Sequence, residues 1–532
     1  MFRETDPEKF GQSLQKIFDL HTSSLKYYEE WTGISYPFQK FGFVAIPDFQ
    51  FGGMEHPGTI QYKANTLFLD GGATQDQLNA RSNLIAHETA HMWFGDLVTM
   101  NWFTDVWMKE VFANFMADKV TEKVMGVATF NQKFLLDHYP AAYGVDRTPG
   151  ANPIRQPLAN LQEAGSLYGN IIYHKAPIMM RQLELLMGAD NFQRGIREYL
   201  KTYAYGNAAW PNLISILGKY SRVDLKQWNT VWVNQTGRPV FTYQLQHQGA
   251  QVTALTIDQQ PETGPARVWP QYFNVTFSYP DHDTVLTVPS SGARTTLSFP
   301  KGIAPPADVL FYTDGKGYGL FPVDSALHER LFTLPDGLQR AALYINDYEN
   351  MLAGRYYKPA ELLQLFVHGL QAERQEMNLR LLAGYITGIY WEFIPAAQRA
   401  AYTGMLEDAL WAAMEQQELP NNKKILFKAY QDIYASAGAQ ARLYAIWQDK
   451  KPPLKVTLNE EDYTALALSI ALKTDTATHV IGAQLARISD PDRRQRLLFL
   501  QPALSPDSTV RDAFFASLAD KRNRQKEAWV TT

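Results

Sequence analysis

Ser82-Asn83-Leu84-Ile85-Ala86-His87-Glu88-Thr89-Ala90-His91-Met92-Trp93-Phe94-Gly95 is the stretch that decides how this chain reads. His87 and His91 stand four positions apart, with Glu88 beside the first. On an α-helix, positions i and i+4 share one face, one turn apart. Both imidazoles then reach a single ion, and Glu88 falls near water bound there, placed to act as a general base. Ser82 reads as the helix N-cap and Gly95 as its stop.

A second helical segment opens downstream at Thr104-Asp105 and carries Glu110, 19 positions after His91. A helix, a loop and a helix bring Glu110 back beside the two imidazoles. Two His and one Glu leave the fourth position of a zinc ion open for water, which is the catalytic arrangement. The competing reading, two histidines meeting by chance on an amphipathic helix, leaves Glu110 unexplained. One Zn2+ per chain is therefore expected, on His87, His91 and Glu110. Asp105 reads as a helix cap or as a carboxylate that orients a ligand histidine. Trp93, Trp102 and Trp107 read as core packing.

The chain has 532 residues, enough at ~150 residues per domain for three or four domains. Its net charge is −4, and no basic stripe points to nucleic acid; the cluster Lys521-Arg522-Asn523-Arg524-Gln525-Lys526 reads as a solvated helix face. There are no cysteines, so any metal must sit on His, Asp or Glu. No apolar run is long enough to span a membrane. The opening Met1-Phe2-Arg3-Glu4-Thr5-Asp6-Pro7 lacks the basic-then-apolar pattern of a signal peptide.

Along the chain, Gly42-Phe43-Val44-Ala45-Ile46 reads as a buried strand, and Gly58 to Asp70 as a second β-like region with Leu67-Phe68-Leu69 in it. Helical patterns run from Asp76 through Tyr203. After Gly237-Arg238-Pro239 the texture turns to short alternating runs, as in Tyr272-Phe273-Asn274-Val275-Thr276-Phe277. Helical periodicity returns from Ala326, punctuated by turns such as Leu419-Pro420-Asn421-Asn422. The fold class expected is multidomain α+β, in three consecutive parts: a catalytic domain over 1–236, a small β-sandwich over 237–324, and a C-terminal α-helical, solenoid-like domain over 325–532.

The run from His87 through Met100, with Trp102 and Trp107-Met108-Lys109-Glu110-Val111-Phe112-Ala113, resembles the zinc signature of the aminopeptidase N family. That family belongs to the gluzincins, which include leukotriene hydrolase. Gly52-Gly53-Met54-Glu55-His56 resembles its Gly-Ala/Gly-Met-Glu-Asn motif, and Tyr173-His174-Lys175-Ala176 occupies the place of its tyrosine motif, with Tyr168 five residues earlier. Asp314-Gly315-Lys316-Gly317-Tyr318-Gly319 resembles the end of the family's β-domain. His56, Asp96, Lys109, Val111, His174 and Ala176 depart from the family pattern, which bears on substrate preference.

The resemblance implies a thermolysin-like catalytic domain and a zinc aminopeptidase acting on peptides with a free N-terminus. Glu88 is then the base, and Tyr173 the donor to the carbonyl oxygen on which charge develops. Glu55 partners the substrate's α-ammonium. Gly52, Gly53 and Met54 let the substrate backbone approach as an added strand, and Tyr168 joins the substrate site. The resemblance also implies a preceding β-domain that completes the ammonium site, so the chain reads as a fragment from which a signal peptide could have been lost. Its compartment, cytoplasm or periplasm, stays open. The alternatives are a thermolysin-type endopeptidase with the same ligand set, and a silent binding module.

Overall fold

The computed structural model describes residue 4 and residues 6–323, 330–474 and 477–532. The ends of the opening segment, Met1 to Arg3 and Thr5, lie outside it, as do the expected start of the helical region at 325–326 and the expected end of the β region at 324. The protein is a mixed α/β chain with many helices and several small sheets. It divides into two compact units, each discontinuous in sequence, where the sequence reading sets three consecutive domains. One unit takes Met1–Asp19, Lys40–Arg81 and Leu363–Thr532; the other takes Leu20–Gln39 and Ser82–Leu362. Among the described residues no helix is long and apolar enough to cross a membrane.

In the first unit, strands β1 (Phe43–Ile46), β2 (Gly53–Met54) and β3 (Ile60–Lys63) form one sheet in the order β1-β3-β2. β1 runs parallel to β3, and β2 antiparallel, with Gly53 opposite Tyr62 and Met54 opposite Gln61. Alternation along β3 buries Ile60 and Tyr62 on one face. The sequence reading takes Gly58 to Asp70 as β-like, but Ala64–Leu67 coils into one helical turn closed by the Phe68 N–H on the Ala64 carbonyl. Leu67, Phe68 and Leu69 are buried all the same. A short apolar run fits strand and helix equally well, since burial is what it requires.

The C-terminal part of this unit is helical, from Glu376–Gly388 and Ala396–Gln416 through Pro420–Ile433 and on to Ser508–Ser517. Neighbours in sequence pack on each other, and their starts carry side-chain caps: Ser436, Asn459, Asp490 and Asp507 each accept from a backbone N–H of the next turn. Leu419-Pro420-Asn421-Asn422 is shorter as a turn than its composition implies. Pro420 opens the helix, where its missing N–H costs nothing, and Asn422 is buried with its amide on the Arg374 carbonyl.

In the second unit the helices Trp107–Met125, Val127–Asp146, Ala176–Met187 and Ala189–Tyr203 surround a core with Trp93, Trp107 and Trp210 at its centre. The Trp107 and Trp210 rings lie 4.6 Å apart. Trp102 corrects the core reading: it is 42% exposed, with its indole N–H on the Leu158 carbonyl. Strands β4 (Val98–Met100) and β5 (Gly206–Ala208) pair in parallel beside this core. Six further strands follow: β6 (Pro239–Gln248), β7 (Gln251–Pro261), β8 (Gln271–Ser278), β9 (Asp283–Ser290), β10 (Arg294–Ile303) and β11 (Asp308–Phe311). They form two antiparallel sheets, β10-β7-β6 and β11-β8-β9. The sheets meet through aromatic rings, Phe241 of β6 lying 5.2 Å from Phe273 of β8 and stacked on Phe321 at 4.7 Å.

Candidate active site

His87 and Glu88 sit in the last turn of the helix Gln75–Ala90, and His91 on the turn just beyond it. The helix starts earlier than its hydrophobic pattern indicates. Thr74, not Ser82, closes its N-terminus: the Thr74 hydroxyl accepts from the Gln77 N–H while the Gln77 side chain accepts from the Thr74 N–H. Its end is set by Gly95, whose φ of +135° suits glycine and whose N–H bonds the Val98 carbonyl. A Cβ at Gly95 would stand 3.3 Å from His91 Nδ1, so this turn also clears space for the imidazole.

Glu110 lies in the first turn of the helix Trp107–Met125 and is buried. Its Oε2 stands 3.5 Å from His87 Nε2 and 3.6 Å from His91 Nε2, and the two Nε2 atoms are 3.1 Å apart. Burial alone would raise the Glu110 carboxyl. Lys109 and the two imidazoles outweigh burial and hold it well below the ordinary range, so it is a carboxylate. Lys109 Nζ takes the other oxygen, Oε1, at 2.5 Å, which leaves Oε2 for the cluster.

The outer nitrogens fix the rings. His87 Nδ1 lies 2.8 Å from Asn114 Oδ1, and His91 Nδ1 lies 3.0 Å from the Phe94 carbonyl oxygen. Asn114 Nδ2 donates to the Tyr173 carbonyl at 3.1 Å, which orients the amide and turns its oxygen to His87. With acceptors at both Nδ1 atoms, each Nδ1 carries the proton and each Nε2 offers a lone pair. Two lone pairs and a carboxylate oxygen facing one another form a cation site. Ligands about 2.0–2.1 Å from a tetrahedral zinc lie roughly 3.3–3.4 Å from each other, and the three observed separations bracket that value. The residues fit zinc.

Glu88 is buried, with a carboxylate oxygen within 4.8 Å of a His91 ring nitrogen. Tyr173 sits on a π-helical turn, Ile171–Lys175, a local widening common at functional sites. Tyr168, exposed, packs its ring 6.4 Å from that of Tyr173, and Lys109 Nζ stands over it at 5.7 Å. Asp105 neither caps the Trp107 helix nor reaches a histidine. It closes a short 3-10 turn and takes Arg155 Nε at 2.7 Å. The residue that orients His87 is Asn114, which the sequence reading missed. The available signal was its spacing, four positions after Glu110 on the same helix face. In the other unit, Gly53 and Met54 form β2, with Gly52 before it and Glu55 after it.

Comparison with known proteins adds to this geometry. Residues 17–234 match the peptidase family M1 domain. The matched segment contains His87, Glu88, His91 and Glu110, as well as Tyr168 and Tyr173. The chain is 35% identical over 257 residues, 48% of its length, to a puromycin-sensitive aminopeptidase of Caenorhabditis elegans. It is 33% identical over 222 residues, 42% of its length, to probable aminopeptidase 2 of Sulfurisphaera tokodaii. It is 31% identical over 218 residues, 41% of its length, to a leucyl aminopeptidase of Saccharolobus solfataricus. The matched stretches span 27%, 28% and 28% of these relatives.

Proposed function

We propose that this chain carries the catalytic centre of a zinc aminopeptidase, with a thermolysin-like catalytic region followed by a small β-sandwich and stacked C-terminal helices. The observation that carries the reading is the convergence of His87 Nε2, His91 Nε2 and Glu110 Oε2 within 3.1 to 3.6 Å, with the buried Glu88 beside them. His87, His91 and Glu110 would hold one zinc ion, which supplies Lewis acidity, polarising a carbonyl and lowering the pKa of water.

Glu88 takes a proton from the attacking water and hands it to the leaving amine, so one carboxylate serves both halves of the hydrolysis. The Tyr173 hydroxyl donates to the carbonyl oxygen as negative charge builds on it. Asn114 couples these parts, since its one amide holds both His87 and the Tyr173 backbone. The Lys109 ammonium keeps Glu110 to a single free oxygen.

Specificity for a free N-terminus is assigned to Glu55. Among the described residues β2 has a strand neighbour on one side only, so its other edge can take an extended peptide, and Glu55 at its end offers a carboxylate to the peptide's α-ammonium. Tyr168 is assigned to substrate binding. Peptides with a free N-terminus are the proposed substrates.

The test compares free and N-acetylated aminoacyl arylamides, with Glu88→Gln as control. A charge-assisted contact of about 1.5–3 kcal/mol gives about ten- to a hundredfold preference in kcat/KM for the free amine. Glu88→Gln should keep zinc and lose turnover. Equal cleavage of both substrates by the wild-type protein would refute the aminopeptidase reading and leave a thermolysin-type endopeptidase. Full turnover by Glu88→Gln would remove Glu88 as base.

A further inference from the structure

Three consecutive residues of the turn Ile171–Lys175 are tied to the two helices beneath it. The Tyr173 carbonyl accepts from Asn114. His174 Nδ1 lies 3.1 Å from His138 Nδ1, on the helix Val127–Asp146. Lys175 Nζ, fully buried, lies 2.6 Å from Asp146 Oδ2 at the end of the same helix. The proposed mechanism uses the first tie and explains the place of Tyr173. It leaves the pair of imidazoles without a task.

Two ring nitrogens at that distance share one proton. If both carried one, the two hydrogens would collide, so one ring donates and the other accepts. The surroundings decide which. His138 turns its Nε2 toward Asp118 Oδ2 at 3.7 Å. Lys133, paired with Asp137 on the His138 helix, is the other charge acting on His174. Burial, then His138, then Lys133 push the His174 imidazole down to about 3, so it stays neutral and keeps a lone pair for His138. The His174 lone pair therefore stays available to His138 at all pH values well above that.

A π-helical turn accommodates one extra residue relative to an α-helix, about 100° of helical phase. Relaxing it to α geometry would swing the Tyr173 side chain around the helix axis. The Ala176 N–H reaches back five residues to the Ile171 carbonyl, which marks the widened turn. Side-chain ties on its outer residues hold it against that relaxation.

We propose that His174, held by His138, is a positioning residue for Tyr173: the bond between the two imidazoles keeps the π-helical turn in register and thereby aims the Tyr173 hydroxyl. The inference rests on the proposed role of Tyr173. Its test is a set of four variants assayed for kcat, KM and zinc content: His174→Leu, His174→Asn, Tyr173→Phe, and Tyr173→Phe with His174→Leu. His174→Leu should lower kcat about ten- to a hundredfold, the scale of a misplaced catalytic group, with KM and zinc little changed. His174→Asn should recover most of that loss, because its side-chain oxygen stands near the former Nδ1 and accepts from His138. In the Tyr173→Phe background His174→Leu should cost nothing further. Equal losses in both backgrounds, or an Asn variant no better than Leu, would overturn the positioning role while leaving that of Tyr173 intact. Full kcat in Tyr173→Phe would instead overturn the role of Tyr173 and this inference with it. If His174→Leu does not fold, His138→Phe breaks the same bond with ring volume kept and is judged by the same comparison.

Discussion

Replacing Asn114 separates two tasks that one amide performs. Its oxygen takes the His87 Nδ1 proton at 2.8 Å, and its nitrogen donates to the Tyr173 carbonyl at 3.1 Å. Asn114→Leu removes both bonds. Losing the partner that orients a ligand histidine costs ten- to a hundredfold in metal affinity, or about 1.4–2.7 kcal/mol. The Tyr173 carbonyl also loses its donor, so kcat should fall even with zinc in excess. Asn114→Asp behaves differently. One carboxylate oxygen still accepts from His87, so zinc should bind at least as tightly as in the wild type. The other oxygen now opposes the Tyr173 carbonyl, acceptor against acceptor, and kcat should fall. Competition with a chelator of known affinity reads zinc binding, and arylamide turnover at saturating zinc reads the second effect. Wild-type zinc affinity in Asn114→Leu would refute the reasoning. So would an Asp variant that loses zinc as readily as the Leu variant.

Lys175→Met should destabilise the second unit by about 3–5 kcal/mol, because it strands the buried Asp146 carboxylate. Adding Asp146→Asn should recover much of this in urea unfolding, and a double variant as weak as the single would refute the pairing. Burial raises the Asp347 carboxyl to about 8, a bond from Tyr357 only partly offsetting it. An unfolded aspartate titrates near 3.9, so between pH ~4 and ~8 the folded state holds a proton that the unfolded state has lost. Stability from this group is present at low pH and falls as pH rises through that window, by up to about 1.4 kcal/mol per unit, then levels off. Asp347→Asn should flatten this slope in unfolding measured from pH 5 to 9; an unchanged slope would show that Asp347 does not titrate there.

The chemistry of the cluster was legible in the chain because it is local. His87, Glu88 and His91 share one helix end and Glu110 opens the next helix, so helical spacing and a short connection are enough to say which side chains can meet. The first helix begins well before Ser82; its opening Gln75–Arg81 is mostly polar, with Asn79 and Arg81 buried, so little hydrophobic signal marks the start. Trp102 was assigned to the core by residue type, yet a tryptophan also stays at the surface when its N–H finds a carbonyl. The pairs Asn114–Tyr173, His138–His174 and Asp146–Lys175 join positions that only the packing of separate helices brings together. Their residue types, an amide, two histidines and an ion pair, are common enough to carry no pattern.

Asp146 does more than neutralise Lys175. Its Oδ1 accepts the Gly237 N–H at 2.7 Å, and the Tyr318 hydroxyl donates at 2.9 Å to Oδ2, the oxygen that also faces Lys175. Lys175 in turn donates to the Gly237 carbonyl. The anchor of the Tyr173 turn is thus completed by residues beyond position 234, where the M1 match stops. A recombinant piece cut at that boundary would keep every proposed zinc ligand and the Lys175–Asp146 pair, and lose the Gly237 and Tyr318 bonds that complete the anchor. The unit of homology and the unit of mechanical support have different edges in this protein, and a minimal active fragment must be drawn by the second.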